Sequence, residues 1–138
     1  MRHEIIQQFL AAETAIGAHE STIADVIVRA LRLLLAELQP LVGAQASRAL
    51  YARSIHLTRP SCDWPSRPAD LPASELLAFL QGDLAPRPVA DARRAGEALL
   101  LTFVDLLISM IGEPLTYRLL RSAWDNPAAD KPFQEKAQ

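Results

Sequence analysis

The sequence predicts an all-α fold: a compact antiparallel bundle of five to six helices built around a central apolar helix near residues 88–111. Three observations predict it. Leu and Ala supply 45 of the 138 residues, whereas β-branched and aromatic residues are sparse, which is the balance of a helix former. Apolar residues recur at steps of three and four in one segment after another. Finally, residues 99–111 read Leu-Leu-Leu-Thr-Phe-Val-Asp-Leu-Leu-Ile-Ser-Met-Ile, so the only polar members, Thr102, Asp105 and Ser109, form one narrow stripe on a helix that neighbours must wrap. This run ends after 13 residues at Gly112, Glu113 and Pro114, short of the roughly 20 apolar residues that a membrane span needs.

The elements follow in order. A first helix is expected over residues 2–16, with Ile5, Ile6, Phe9, Leu10 and Ile16 inward and Gly17 as its stop. The second carries Ile23, Val26, Ile27, Ala30, Leu31, Leu34, Leu35 and Leu38 on one face, opposite Asp25, Arg29, Arg32 and Gln39. Thr22 with Asp25 approximates a capping box at its start, and Pro40 is expected to break it. A third helix then covers residues 41–58, its small residues Gly43, Ala44, Ala46, Ala49 and Ala52 allowing a close approach to a neighbour, until Pro60 stops it. Four prolines in residues 59–72 favour a long irregular connection. Ser74 is expected to cap a short fourth helix bearing Leu76, Leu77, Phe79 and Leu80, which Gly82 ends. The Ala-Pro-Arg-Pro segment leads into the central helix, and Pro114 opens a last one with Leu115, Leu119, Leu120, Ala123 and Trp124 on its apolar side. Residues 1–125 are thus expected to form one domain, with residues 126–138 as a flexible tail. No internal repeat is legible.

Composition narrows the function classes. A formal net charge of −2 gives no global basic field, which argues against general nucleic-acid binding. Cys62 is the only cysteine, so there is neither an intramolecular disulfide nor a cysteine-based metal site. The N-terminal residues alternate polar and apolar at helical spacing without an apolar run of signal-peptide length, and a cytoplasmic location is expected. No cofactor and no metal are expected, since inward Glu-x-x-His motifs are lacking and Cys62 has no identifiable base.

The stretch from Ile111 to Trp124, together with Ser-Arg-Ala-Leu-Tyr-Ala-Arg-Ser at positions 47–54, resembles a pattern in small uncharacterised bacterial all-helical proteins; it implies a helical bacterial domain and no activity. His56, followed by Leu57, Thr58 and Arg59, resembles the His-x-x-Lys of histidine phosphotransfer domains. Arg59 and Pro60 stand where that family has Lys and Gly, so the resemblance supports phosphotransfer only as the weaker alternative.

Two further features bear on function. Arg48, His56 and Arg59 fall within about 80 degrees on the third helix, and the loop beyond adds Trp64 and Arg67. Trp and Arg are the residue types of binding hot spots, and a proline-rich loop presents them with little conformational freedom to lose, which marks these five residues as a partner-binding surface; the alternative is that Trp64 folds back as a lid on the bundle. Asp105, flanked by apolar residues, is either on the solvent edge of its helix or a buried or interfacial charge paired with an Arg such as Arg29 or Arg118. The leading expectation is a non-enzymatic interaction or regulatory module that self-associates as a homodimer or holds a protein partner. The alternative is a bundle that senses or carries a small apolar ligand oriented by Asp105, Tyr117 or an Arg.

Overall fold

The computed structural model describes residues 2–16, 22–68 and 71–124, and it is an all-helical bundle without strands among those residues. Six helices follow one another: α1 (Arg2–Ile16), α2 (Ile23–Val42), α3 (Ala44–Cys62), α4 (Ala73–Leu84), α5 (Val89–Ile111) and α6 (Glu113–Trp124). No described helix is long and apolar enough to cross a membrane. The expected stop at Gly17 and the expected tail lie outside the described residues.

The boundaries differ from expectation wherever proline was read as a stop. Pro40 lies inside α2 and Pro60 inside α3. Each removes one donor near a helix C-terminus, but the amides beyond it still reach back four residues: Gly43 N to Gln39 O at 2.8 Å and Asp63 N to Arg59 O at 2.7 Å. The true punctuation is positive φ. Gly43 (φ 93, ψ 163) and Gly112 (φ 89, ψ 162) turn the chain at once from one helix into the next, and Asp63 (φ 57, ψ 48) ends α3 in the left-handed conformation. The irregular connection therefore begins at Asp63. Likewise Pro72, not Ser74, occupies the N-cap of α4, and α4 runs through Gly82 to Leu84. At the start of α2 the capping box is present, with Thr22 Oγ1 accepting from Asp25 N at 3.1 Å and Asp25 Oδ2 accepting from Thr22 N at 3.3 Å. The other carboxylate oxygen of Asp25 accepts from Gln81 Nε2 at 2.6 Å, which ties α4 to this end of α2 and, as the largest cause, holds the carboxyl below its ordinary range.

α5 is central, as its pattern requires, but it shares the centre with α2, which packs on every other helix. Their buried side chains (Ile27, Leu31, Leu34 and Leu38 from α2; Leu99, Leu100, Phe103 and Leu107 from α5) belong to one continuous apolar cluster that draws on all six helices. α3 turns Ser47, Tyr51, Ser54, Thr58 and Cys62 inward, not the alanines expected there. Its buried hydroxyls are satisfied by its own preceding turn: Ser54 Oγ donates to Leu50 O at 2.9 Å and Thr58 Oγ1 to Ser54 O at 2.8 Å. This small, self-satisfied face is what α5 packs against.

The six helices form two three-helix units in the same order. Setting Gly43 against Gly112 pairs Leu31 with Leu100, Leu34 with Phe103, Leu38 with Leu107, Tyr51 with Leu120 and Ser54 with Ala123, every member buried. After each glycine the next turn is closed alike, by Ser47 N to Gly43 O and Thr116 N to Gly112 O, both at 3.1 Å. Partners exchange accordingly: α3 packs on α5 as α6 packs on α2, and α4 packs on α2 as α1 packs on α5. A repeat therefore exists in three dimensions that the sequence conceals, and the two units interlock through their second helices.

Both corner glycines sit in a φ/ψ region essentially reserved for glycine. Gly43→Ala and Gly112→Ala should each lose about 1–3 kcal/mol of unfolding free energy in urea. Gly82→Ala, in a helix with open space around it, should gain roughly 0.5–1 kcal/mol.

Candidate functional site

Of the five residues marked by sequence as a partner-binding surface, three meet at one place. The second half of α3, the loop that follows and one side of α4 enclose a cleft of about 70 Å³ that opens to solvent and is lined by Tyr51, Ala52, Ile55 and Arg59 of α3, Trp64, Pro65, Arg67 and Pro68 of the loop, and Leu76, Phe79, Leu80 and Asp83 of α4. Most of this lining is apolar. The space exceeds that of one water, and fits a single side chain better than a cofactor.

The cleft exists because Trp64 folds back. The left-handed turn at Asp63 reverses the chain, and the indole is buried, only 3 % exposed, with Nε1 donating to Thr58 Oγ1 at 2.8 Å. Thr58 in turn donates to the backbone, so the polar end of the indole is satisfied inside the core. Trp64 is thus the lid and not an exposed anchor. Outside it, the Arg87 guanidinium lies over the ring at 4.8 Å, donates to Asp83 O at 3.1 Å and pairs with Asp91 at 3.9 Å. Arg67 pins the other end of the loop. Its guanidinium sits over the Phe79 ring at 4.1 Å and donates to Asp83 Oδ1 at 2.9 Å.

Two groups in the cleft are chemically distinctive. Burial pushes the Tyr51 phenol well above the usual tyrosine range; the Asp83 carboxylate acts in the same direction and Arg67 partly opposes it. Arg59 is half-buried, and its Nε is shielded from solvent with no hydrogen-bond partner among the described residues. A cleft-side guanidinium with an unused donor is disposed to bind an oxyanion. Arg48 and His56 do not line the cleft. They lie on the same stripe of α3 as Ala52 and Arg59, Arg48 half-buried and His56 exposed.

The remaining candidates lie elsewhere. Asp105 is half-buried on α5, beside a half-buried Thr102 and an exposed Ser109, so its stripe opens toward solvent at the end of the helix. Arg29 and Tyr117 are half-buried and Arg118 is exposed. Cys62 is buried with its sulfur 3.8 Å from Ala95 O, while Asp63 is exposed. The described residues contain no group of three or more His, Cys, Asp or Glu that could hold a metal ion. Sequence reasoning missed Tyr51, Phe79, Asp83 and Arg87. Tyr51 lies near the stripe of Arg59, which spacing could have revealed, but the Arg67–Asp83 pair joins a loop to the next helix at no characteristic spacing.

Two tests follow from this geometry. Thr58→Val removes the acceptor of a buried indole N–H and should lower unfolding free energy by about 1–3 kcal/mol. Because the native state holds the Tyr51 proton more tightly than the unfolded chain, it binds more protons above about pH 10, and stability falls as pH rises past that point. Tyr51→Phe should flatten that alkaline decline in unfolding free energy.

No protein-family model, curated protein or solved structure matches this chain.

Proposed function

We propose that this chain is a cytoplasmic, non-enzymatic recognition module that docks a protein partner at the cleft between α3 and α4. The observation that carries the reading is the cleft itself: an apolar recess under a buried tryptophan lid, rimmed by Arg59 and Arg67. Such a combination of an aromatic-lined pocket with guanidinium groups at its edge is the pattern of an interface hot spot. The loop is held by Arg67 and Arg87, so binding would cost little ordering entropy on this side. Arg48 and His56 extend the surface along α3.

The test is in-cell photocross-linking with benzoylphenylalanine placed at His56, exposed on α3 beside the cleft without lining it, and at Ala78, exposed on α4. A discrete protein adduct is expected from position 56, identified by mass spectrometry, and none from position 78. Equal or absent adducts at the two positions would contradict it.

A further inference from the structure

The cleft has a counterpart within the molecule, and the comparison separates what packing requires from what is left open. Exchanging the two units carries α3 onto α6 and α4 onto α1, so the space between α6 and α1 corresponds to the one between α3 and α4. Between α6 and α1 the space is filled by Phe9 and Trp124, both buried, with ring centroids 5.0 Å apart, and Trp124 Nε1 donates to Ala30 O at 3.1 Å. Ile55 occupies on α3 the position that Trp124 holds on α6 when the two corner glycines are aligned, and beside Ile55 the gap stays open. An aromatic pair suffices to close such a gap; here it is not closed.

Charge indicates what enters. α3 carries Arg48, Arg53, His56 and Arg59 and no acidic residue, in a chain whose net charge is −2. None of the side chains of Arg48, Arg53 and Arg59 has a hydrogen bond or ion pair among the described residues, and Arg59 holds a desolvated Nε beside the cleft. The loop and α5 arginines behave differently: Arg67, Arg87, Arg93 and Arg94 are each engaged by a carboxylate of the chain, at Asp83, Asp91, Glu97 and Asp91 respectively.

Resting on the recognition reading above, we infer that the occupant is an acidic segment of a different protein, inserting one apolar side chain between Tyr51, Ile55, Phe79 and Leu80 and setting a carboxylate against Arg59, with further acidic residues along Arg48 and His56. The cleft volume admits one such side chain, and a carboxylate at the rim pairs with the half-buried Arg59 guanidinium. Phe79, 37 % exposed and already stacked under Arg67, gives the entering side chain an aromatic floor.

The experiment is selection of a random twelve-residue phage-displayed peptide library on the immobilised full-length protein, followed by fluorescence polarisation with the synthetic peptides recovered. The expected result is enrichment of peptides that combine Asp or Glu with a single Leu, Ile or Phe anchor. Their binding should weaken with salt, fall by roughly tenfold in Arg59→Gln, vanish when Ala52→Trp fills the cleft, and remain unchanged in Arg121→Ala on the exposed side of α6. Circular dichroism melting of each variant separates lost binding from lost folding, and the two substitutions act by different means, Ala52→Trp by filling the cleft and Arg59→Gln by removing a charge beside it. Uncharged apolar peptides binding equally well, a preference for a duplex oligonucleotide over acidic peptides, or displacement of the peptides by assembly of the chain with itself would overturn the inference. A discrete cross-link from position 56 without any acidic peptide being selected would overturn it too, while leaving the recognition reading in place.

Discussion

Everything in this bundle is arranged around the place where α2 and α5 meet, and one glycine sets how closely they do so. A Cβ built on Gly96 would lie 2.5 Å from both Cδ1 and Cγ1 of Ile27, far inside van der Waals contact. Gly96 is therefore the recess into which Ile27 fits. A glycine inside a helix costs roughly 1 kcal/mol relative to alanine, and here that cost is offset by close packing of the two longest helices. When the corner glycines are aligned, Ile27 and Gly96 occupy equivalent positions of the two units, so they touch where the units cross and where two large side chains could not both be accommodated. The crossing is self-complementary only because it is asymmetric.

From that crossing the placement of the outer helices follows. Each unit's third helix lies on the partner unit's second helix, and the intervening corner is a single glycine, which leaves no slack for adjustment. Two equivalent gaps result, each between a third helix and a first or fourth. The gap between α6 and α1 is closed by stacked aromatic rings. The one between α3 and α4 is bridged by the proline-rich loop, whose tryptophan covers the core while its prolines and arginine form a rim. A loop there, in place of a second aromatic pair, converts a packing gap into a cleft with polar edges.

Much of the architecture was legible in the sequence, because the helix signals are local. The three-four periodicity of α2, the Thr22 capping box, the apolar run of α5 and Pro114 in the first turn of α6 are each written within a few residues. The helix ends after Pro40 and Pro60 were not, since a proline near a C-terminus removes only one hydrogen bond and tertiary packing compensates for it. Nor was the repeat, for it resides in positions and burial rather than in residue identities: Tyr51 answers Leu120 and Ser54 answers Ala123. At the site, Arg59, Trp64 and Arg67 could be grouped because a helix stripe runs into a loop. Asp83 and Phe79 could not, because they reach the cleft through the placement of α4, which is fixed by its packing on α2 and not by any local motif.

The bundle depends on Ile27 and Gly96 being paired across the junction of two equivalent units, and exchanging them tests this directly. Unfolding free energies would be measured in urea for Gly96→Ile, Ile27→Gly and the double exchange. Gly96→Ile alone is expected to lose at least about 1–3 kcal/mol through overpacking, Ile27→Gly to lose more through the cavity it leaves, and the double exchange to recover much of the loss with a coupling of roughly 1–3 kcal/mol. A double variant whose loss equals the sum of the single losses would contradict it.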